Sequence, residues 1–367
     1  MNIGIVIPGH SSDEGDWAIP LLRRLIAALA QRHNVRVLAL RYPHRRDRYT
    51  LDGADVIALG WAQATGVKRL ALWQDALRML ARLDREQPFD VLHGMWADET
   101  GALTVWAGRR LQVPSVVSVL GGELVWLPDI RYGLQQSRFS RWIVTQALHA
   151  DAVIASCSYV ERQLATHVSS TRMHRIAFGI DSQQFTADGD YDPRHLFHVG
   201  SLIGVKDQPT LLRALSLLPS DVTLDIAGIG TDEAALKQLA SEVGVAERVR
   251  WLGKVGHLDL PSHYRRAALH VMTSRHETGP MSVLEAAACG TPSVGTRVGM
   301  LSDDLALGIA VPAQDPQALA QALWSLLDNP VRLTEARKAA RATVEARYTI
   351  EQMAQATEAM YHELSNK

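Results

Sequence analysis

Two carboxylates eight residues apart, Glu277 and Glu285, are the groups of this 367-residue chain best placed to do chemistry; they lie in TSRHETGPMSVLEAAACGTP, residues 273–292. Pro280 fits a first helical position, and Gly290 with Pro292 beyond it fits a helix end, so the segment reads as loop, helix, stop. The first turn then offers the amides of Met281, Ser282 and Val283 at the positive end of the helix dipole, a ready seat for a diphosphate. Glu285 has Met281, Ser282, Ala288 and Cys289 as its helical neighbours, all small or apolar. A carboxylate on such a face needs a hydrogen-bond partner, and a ribose diol is a suitable one. Glu277, in the loop ahead of the helix, would reach a sugar joined to that diphosphate. Lys206 follows the apolar run LFHVG and precedes the helical stretch Gln208–Leu218; it is a point charge suited to a departing phosphate. Any one of these residues alone would read as a solvated side chain, so the reading rests on the set.

Short apolar runs alternate with segments of helical period along the whole chain, the pattern of βαβ units and a parallel sheet. Strands are expected at residues 3–7, 35–40, 90–92, 115–119 and 152–155, and again at 196–200, 223–227, 249–252, 269–273 and 293–295. Helices are expected between them, most clearly at 18–31 and 74–83 in the first half. The fold class is therefore α/β, with two Rossmann-like doubly wound domains facing a central cleft. The expected organisation is a first domain at 1–180, a linker at 181–193, a second domain at 194–345 and a final helical segment at 346–367. The stripe Met353, Ala356, Met360 and Tyr361 marks that last helix. Ligands of open parallel sheets sit beyond the carboxyl ends of the strands. In the first half those positions hold Gly9 and His10, His93, then Gly121, Gly122 and Glu123. In the second they hold Gly200 and Ser201, Gly228 and Gly230, then Leu252, Gly253 and Lys254, and the loop ending at Gly279.

Composition excludes several classes. Cys157 and Cys289 stand far apart and form no C-x-x-C, so neither a disulfide framework nor a thiolate metal site is expected, and the setting is cytoplasmic. The first strand starts almost at Met1, leaving no room for a signal peptide, and no apolar run reaches membrane-spanning length. The net charge of −1 divides into +5 for residues 1–180 and −6 for the rest. No nucleic-acid partner is expected. The basic run RYPHRRDR, Arg41–Arg48, in the positive half is a place for peripheral contact with anionic lipid at the inner membrane face.

The second half resembles the nucleotide-binding domain of retaining, family-4-type GT-B glycosyltransferases. The likeness is carried by HVGSLIGVKDQPTLLRAL, by LDIAGIGTDEAALKQLA, by the two glutamates separated by seven residues with ACGTPSVGT behind them, by the junction RIAFGIDSQQF and by the closing RYTIEQMAQATEAMYHEL. It implies that the first domain binds the acceptor and the second the nucleotide-sugar, and that the last segment packs back onto the first. It implies too that Glu285 holds the ribose, Glu277 the donor sugar hydroxyls and Lys206 the diphosphate. Main chain around Leu252–Lys254 would read the base, and Gly228 and Gly230 would let their loop pack beside the nucleotide. No metal and no cofactor are implied beyond the donor itself, a UDP- or GDP-linked sugar. The partner is a sugar, lipid or small-molecule acceptor, with His93, His10 and Glu123 on the acceptor side and His93 nearest the reaction. Two positions depart from the family pattern. Ser201 stands where an Arg usually pairs with the Lys, leaving Lys254 or Arg297 to substitute, and Leu120 stands where the first domain usually shows a His. A dinucleotide dehydrogenase is disfavoured because Glu233 occupies the last glycine position of G-x-G-x-x-G. A nucleotide-sugar epimerase and a non-catalytic sugar-nucleotide binder are the remaining alternatives.

Overall fold

A computed structural model describes residues 1–366. The chain divides into two compact units, residues 1–177 together with 350–367, and residues 178–349.

The first unit is built on strands β1 (Asn2–Gly9), β2 (Asn34–Tyr42), β3 (Asp47–Leu51), β4 (Ala54–Ala58), β5 (Val91–Met95), β6 (Ser115–Ser118), β7 (Ala152–Ala155) and β8 (Met173–Arg175). They form one sheet in the order β3-β4-β2-β1-β5-β6-β7-β8, parallel throughout except for antiparallel β3 at its edge. Helices α1 (Pro20–Ala30), α2 (Val67–Glu86), α3 (Glu99–Leu111), α4 (Arg138–Ala147) and α5 (Ser158–Leu164) cover it. The central strands carry nearly continuous buried apolar runs, as a sheet covered on both faces requires.

The second unit holds β9 (Asp192–Val199), β10 (Thr223–Ala227), β11 (Val249–Gly253), β12 (Ala267–Met272), β13 (Ser293–Thr296) and β14 (Gly308–Val311), all parallel, in the order β11-β10-β9-β12-β13-β14. Its helices are α6 (Gln208–Ser216), α7 (Glu233–Glu242), α8 (Leu260–Arg266), α9 (Met281–Ala288), α10 (Pro316–Leu327) and α11 (Pro330–Arg347). The last helix, α12 (Ile350–Ser365), belongs to the first unit. No helix among the described residues is long and apolar enough to cross a membrane.

Several expectations are corrected. The segment 181–193 is not a free linker: Phe185 is fully buried, 6.2 Å from the Tyr264 ring, and β9 already starts at Asp192. Helix α1 starts at Pro20 rather than residue 18, with Pro in the first turn where its missing N–H is harmless. Helix α2 starts at Val67, well before residue 74. The hairpin β3–β4 went unread because its outer strand is charged, although Asp52-Gly53, both at positive φ, supply the turn chemistry. On α12 the inward stripe uses Ala354 and Thr357, whereas Ala356 faces solvent.

Candidate functional site

In the second unit, two loops are stitched together beyond the strand ends. Thr273 Oγ1 donates to the carbonyl of Lys206 at 2.8 Å, and the Arg275 amide donates to the carbonyl of Val205 at 2.8 Å. This lashing brings Lys206, from the turn after β9, against Glu277, from the loop after β12: Nζ donates to Oε1 at 2.5 Å. Both side chains remain partly exposed, at 28% and 14%. Loop packing behind Glu277 depends on glycines. A Cβ on Gly279 would fall 2.4 Å from the Phe178 ring, and one on Gly299 would fall 2.7 Å from Pro280 and 3.2 Å from the Glu277 Cβ.

Helix α9 begins one residue later than the sequence reading placed it. Pro280 has ψ 104°, an extended value, and so caps the helix instead of opening it. The Val283 amide donates to the Pro280 carbonyl at 3.0 Å, which removes it from the expected anion seat. The Met281 and Ser282 amides have no acceptor among the described residues, as first-turn amides do not within a helix.

Glu285 is 7% exposed. Its Oε2 accepts from the hydroxyl of Tyr264, which is fully buried in α8, at 2.7 Å. Its Oε1 lies 3.9 Å from His257 Nδ1. Burial pushes the carboxyl up to about 7, with the Tyr264 hydrogen bond pulling the other way. Tyr264 escaped the sequence reading because nothing in local spacing links it to a glutamate in another helix.

Gly200, Ser201, Gly228 and Lys254 line a single cavity of about 240 Å³. Gly228 is obligatory there, since a Cβ would sit 1.9 Å from the Gly200 carbonyl oxygen; Gly230 likewise abuts the Leu202 carbonyl. The Lys206 stem passes 3.7 Å from the position a Gly200 side chain would take, tying this cavity to the ion pair. His198 lies beneath, its Nδ1–H donating to the Val271 carbonyl (2.9 Å) and its Nε2 accepting from Gln208 Nε2 (3.2 Å), and burial lowers its pKa to about 4. Gln208 in turn donates to the Ser201 carbonyl at 3.0 Å. Of the two cations offered in place of the missing Arg, Lys254 is on the cavity wall. Leu252 and Gly253 end β11 beside it, Gly253 at φ 64° with no atom crowding a Cβ.

The first unit's rim is different. His93 is buried, with Nδ1 2.5 Å from the Tyr361 hydroxyl of α12 and Nε2 2.8 Å from Ser118 Oγ. Burial lowers its pKa to about 3. Both ring nitrogens are engaged, so the expectation that His93 works at the reacting centre meets a residue that instead pins α12 to the sheet. Glu123 is also buried, and its carboxylate accepts from the amides of Ala97 (3.2 Å), Leu120 (3.0 Å) and Gly121 (2.6 Å). It holds the turn together and leaves no oxygen lone, although burial still raises its pKa to about 7. Gly9 and Gly122 are packing glycines, against Tyr42 and Tyr132. His10 keeps an open valence, its Nδ1 3.3 Å from the Ser11 carbonyl and its Nε2 buried without a partner, as is the Oγ of neighbouring Ser11.

The basic run is neutralised. Arg41 pairs with Glu99 (2.6 Å), Arg45 with Asp47 (2.9 Å), Arg46 with Asp75, and Arg48 with Asp55 (2.7 Å). Arg45, Arg46 and Arg48 nonetheless stay more than half exposed, so the run remains at the surface with its charge shared among neighbouring carboxylates.

Comparison with known proteins places this geometry. The model for "Glycosyl transferases group 1" matches residues 181–343, and that for "Glycosyl transferase 4-like domain" matches residues 20–179. The D-inositol 3-phosphate glycosyltransferase 1 of Catenulispora acidiphila is 31% identical over 219 residues, 52% of this chain and 52% of that protein. The matched stretch thus spans about half of that relative's length. A GDP-mannose-dependent monoacylated alpha-(1-6)-phosphatidylinositol monomannoside mannosyltransferase of Corynebacterium glutamicum is 27% identical over 305 residues, 75% of this chain and 76% of that one. Among solved structures, the sucrose-phosphate synthase of Thermosynechococcus elongatus superposes with TM-score 0.82 at 21% identity, covering 99% of this chain and 98% of its own. Anabaena HepE in complex with UDP and glucose gives 0.77 at 17%, covering 99% and 100%. The chain belongs to the group 1 glycosyltransferases, of the family-4 type, with the GT-B fold.

Proposed function

We propose that the protein transfers a sugar from a nucleotide-diphosphate-sugar, UDP- or GDP-linked, to a hydroxyl of a sugar, lipid or small-molecule acceptor, with retention of anomeric configuration and without a metal. The observation that carries this is the Lys206–Glu277 pair, held at 2.5 Å beside a 240 Å³ cavity and ahead of the free amides that open α9. Lys206, with Lys254 in place of the absent Arg, supplies positive charge for the diphosphate. Those fixed charges and the Met281 and Ser282 amides stabilise the negative charge that builds as the bond from the anomeric carbon to the phosphate oxygen breaks. The acceptor oxygen bonds to the same carbon from the departing side, and its proton passes to the leaving phosphate oxygen, giving a nucleoside diphosphate. Glu277 uses one oxygen to hold Lys206 and has the other for sugar hydroxyls. Glu285 offers Oε1 to the ribose. The two relatives are named for D-inositol 3-phosphate and for a phosphatidylinositol monomannoside, which supports a phosphate-bearing hydroxyl acceptor, a small molecule in the first and a lipid in the second.

A thermal-shift panel of UDP, GDP and ADP sugars tests the donor half. A donor at a hundred times its Kd stabilises the native state by about 2.7 kcal/mol, so one base should raise Tm clearly above the others; a flat panel overturns the reading. Transfer should survive excess chelator, and its loss there would sink the metal-free mechanism.

A further inference from the structure

We propose that the face formed by the start of α2 and by α4 docks on an anionic lipid bilayer. Nine large apolar side chains are exposed among the described residues, and four lie here: Val67 at 84%, Leu70 at 54%, Phe139 at 47% and Trp142 at 46%. They form one patch. Val67 and Leu70 are a helical turn apart, and Trp73 a further turn on. The Trp73 and Phe139 rings are parallel with centroids 6.4 Å apart, and Phe139 lies 6.0 Å from Trp142. Trp106 backs the group, 5.2 Å from Trp73 and 5.9 Å from Trp142. An apolar surface made contiguous by an aromatic scaffold marks an interaction site.

Charge selects the partner. Lys68, Arg138 and Arg141 are exposed on the same two helix starts, and none has a carboxylate within ion-pair distance among the described residues. This contrasts with Arg41–Arg48, whose arginines all pair within the chain. Unpaired cations flanking Trp, Phe and Leu are the composition of a surface that seats its rings at the headgroup level and its charges on anionic phosphates. A recess of about 220 Å³ beside the patch is walled by Trp73, Leu134, Phe139 and Ile143 and is also lined by Asp98 and by Glu99, which pairs with Arg41 and Arg69, so its polar side is charge-balanced and the docking argument rests on the exposed rings and cations outside it. The inference stands on the first unit alone and does not depend on the donor chemistry.

Sedimentation with phosphatidylcholine vesicles, with and without roughly a third phosphatidylglycerol, provides the test. The full chain should co-sediment with the anionic vesicles only, and less so as salt rises. The double variant Phe139→Ser/Trp142→Ser should partition at least tenfold less, and Lys68→Glu/Arg138→Glu/Arg141→Glu about fivefold less per cation lost. A far-ultraviolet circular dichroism spectrum and an unfolding transition matching the parent's show that each variant is folded, and the response of Tm to UDP and GDP, read separately, reports the donor reading. Absence of binding to anionic vesicles at low salt, or equal binding by both variants and the parent, overturns the proposal. So does a concentration-dependent dimer that both variants abolish, since the face would then belong to a second copy.

Discussion

The rims of the two sheets carry acids and bases at their strand ends, buried at His93 and Glu123 in the first and partly exposed at Lys206 and Glu277 in the second, and partner them in opposite ways. In the first unit, Glu123 spends its oxygens on three backbone amides and His93 both nitrogens on Ser118 and Tyr361. In the second, Lys206 and Glu277 have chiefly each other, Glu285 has one oxygen bonded and one nearly free, and two helix-opening amides face no acceptor. Satisfied groups cost little to bury and fix the architecture, whereas groups left short of partners carry a desolvation penalty that only a ligand relieves. Buried acid and histidine at a strand end are therefore no guide to chemistry until their partners are counted.

The contrast is most severely tested at Glu277. Glu277→Ala should lower kcat by about a hundred- to a thousandfold, the range for removing one preorganised electrostatic group, while UDP still raises Tm. Unchanged transfer would move the chemistry elsewhere, and unchanged UDP binding with no transfer even in the parent would favour a non-catalytic binder. On the other rim, Glu123→Gln should act on stability and not on turnover. Losing charged acceptors for three amides is worth about 2–3 kcal/mol, which for a unit of this size lowers Tm by roughly 5–10 °C, with the UDP-induced increment preserved. A Glu123→Gln protein of normal Tm but poor transfer would place that rim in the catalytic machinery. Smaller again is Lys254→Ala: one partly exposed cation on a diphosphate should raise the donor KM about tenfold at low salt and less at high salt. A normal KM would hand the missing Arg's role to another group.

The parallel sheets were legible because strands buried on both faces read as unbroken apolar runs, and the corner glycines because a side chain there would strike backbone, as at Gly228. Charged edge strand β3 was not, since its outer face follows solvent and not the core. Phe185 shows why the junction misled: polarity of neighbours said linker, yet one aromatic anchors the segment inside the second unit. Within the site, Glu277, Glu285 and Lys206 were visible as residue types at loop positions. Their pairing was not, because Lys206 meets Glu277, and Glu285 meets Tyr264, across elements whose juxtaposition only the folded sheet defines. The neutralised arginines after β2 make the same point for charge: a basic run in sequence says nothing of the acids folded against it.

Tyr264→Phe sharpens the comparison inside the donor site, because it removes a hydrogen bond without touching the ligand-facing oxygen. Burial raises the Glu285 carboxyl to about 7, and the Tyr264 hydroxyl lowers it. The folded chain thus holds a proton that the unfolded chain, with an ordinary carboxyl, has released. Stability contributed by this group is full below the unfolded pKa and is lost as pH rises toward about 7. The groups facing the pair are His257 at 3.9 Å from Oε1, Cys289 on the same helix, whose thiol burial pushes up to about 12, and the His270 ring 5.7 Å from Tyr264. Deleting the phenol hydroxyl shifts the Glu285 carboxyl higher still, so the window of falling stability extends to higher pH. If ionised Glu285 accepts from the ribose, UDP affinity in Tyr264→Phe should fall about fivefold at neutral pH, the loss of roughly 1 kcal/mol, and recover toward the parent value as pH is raised. A loss that is the same at every pH would reduce Tyr264 to packing.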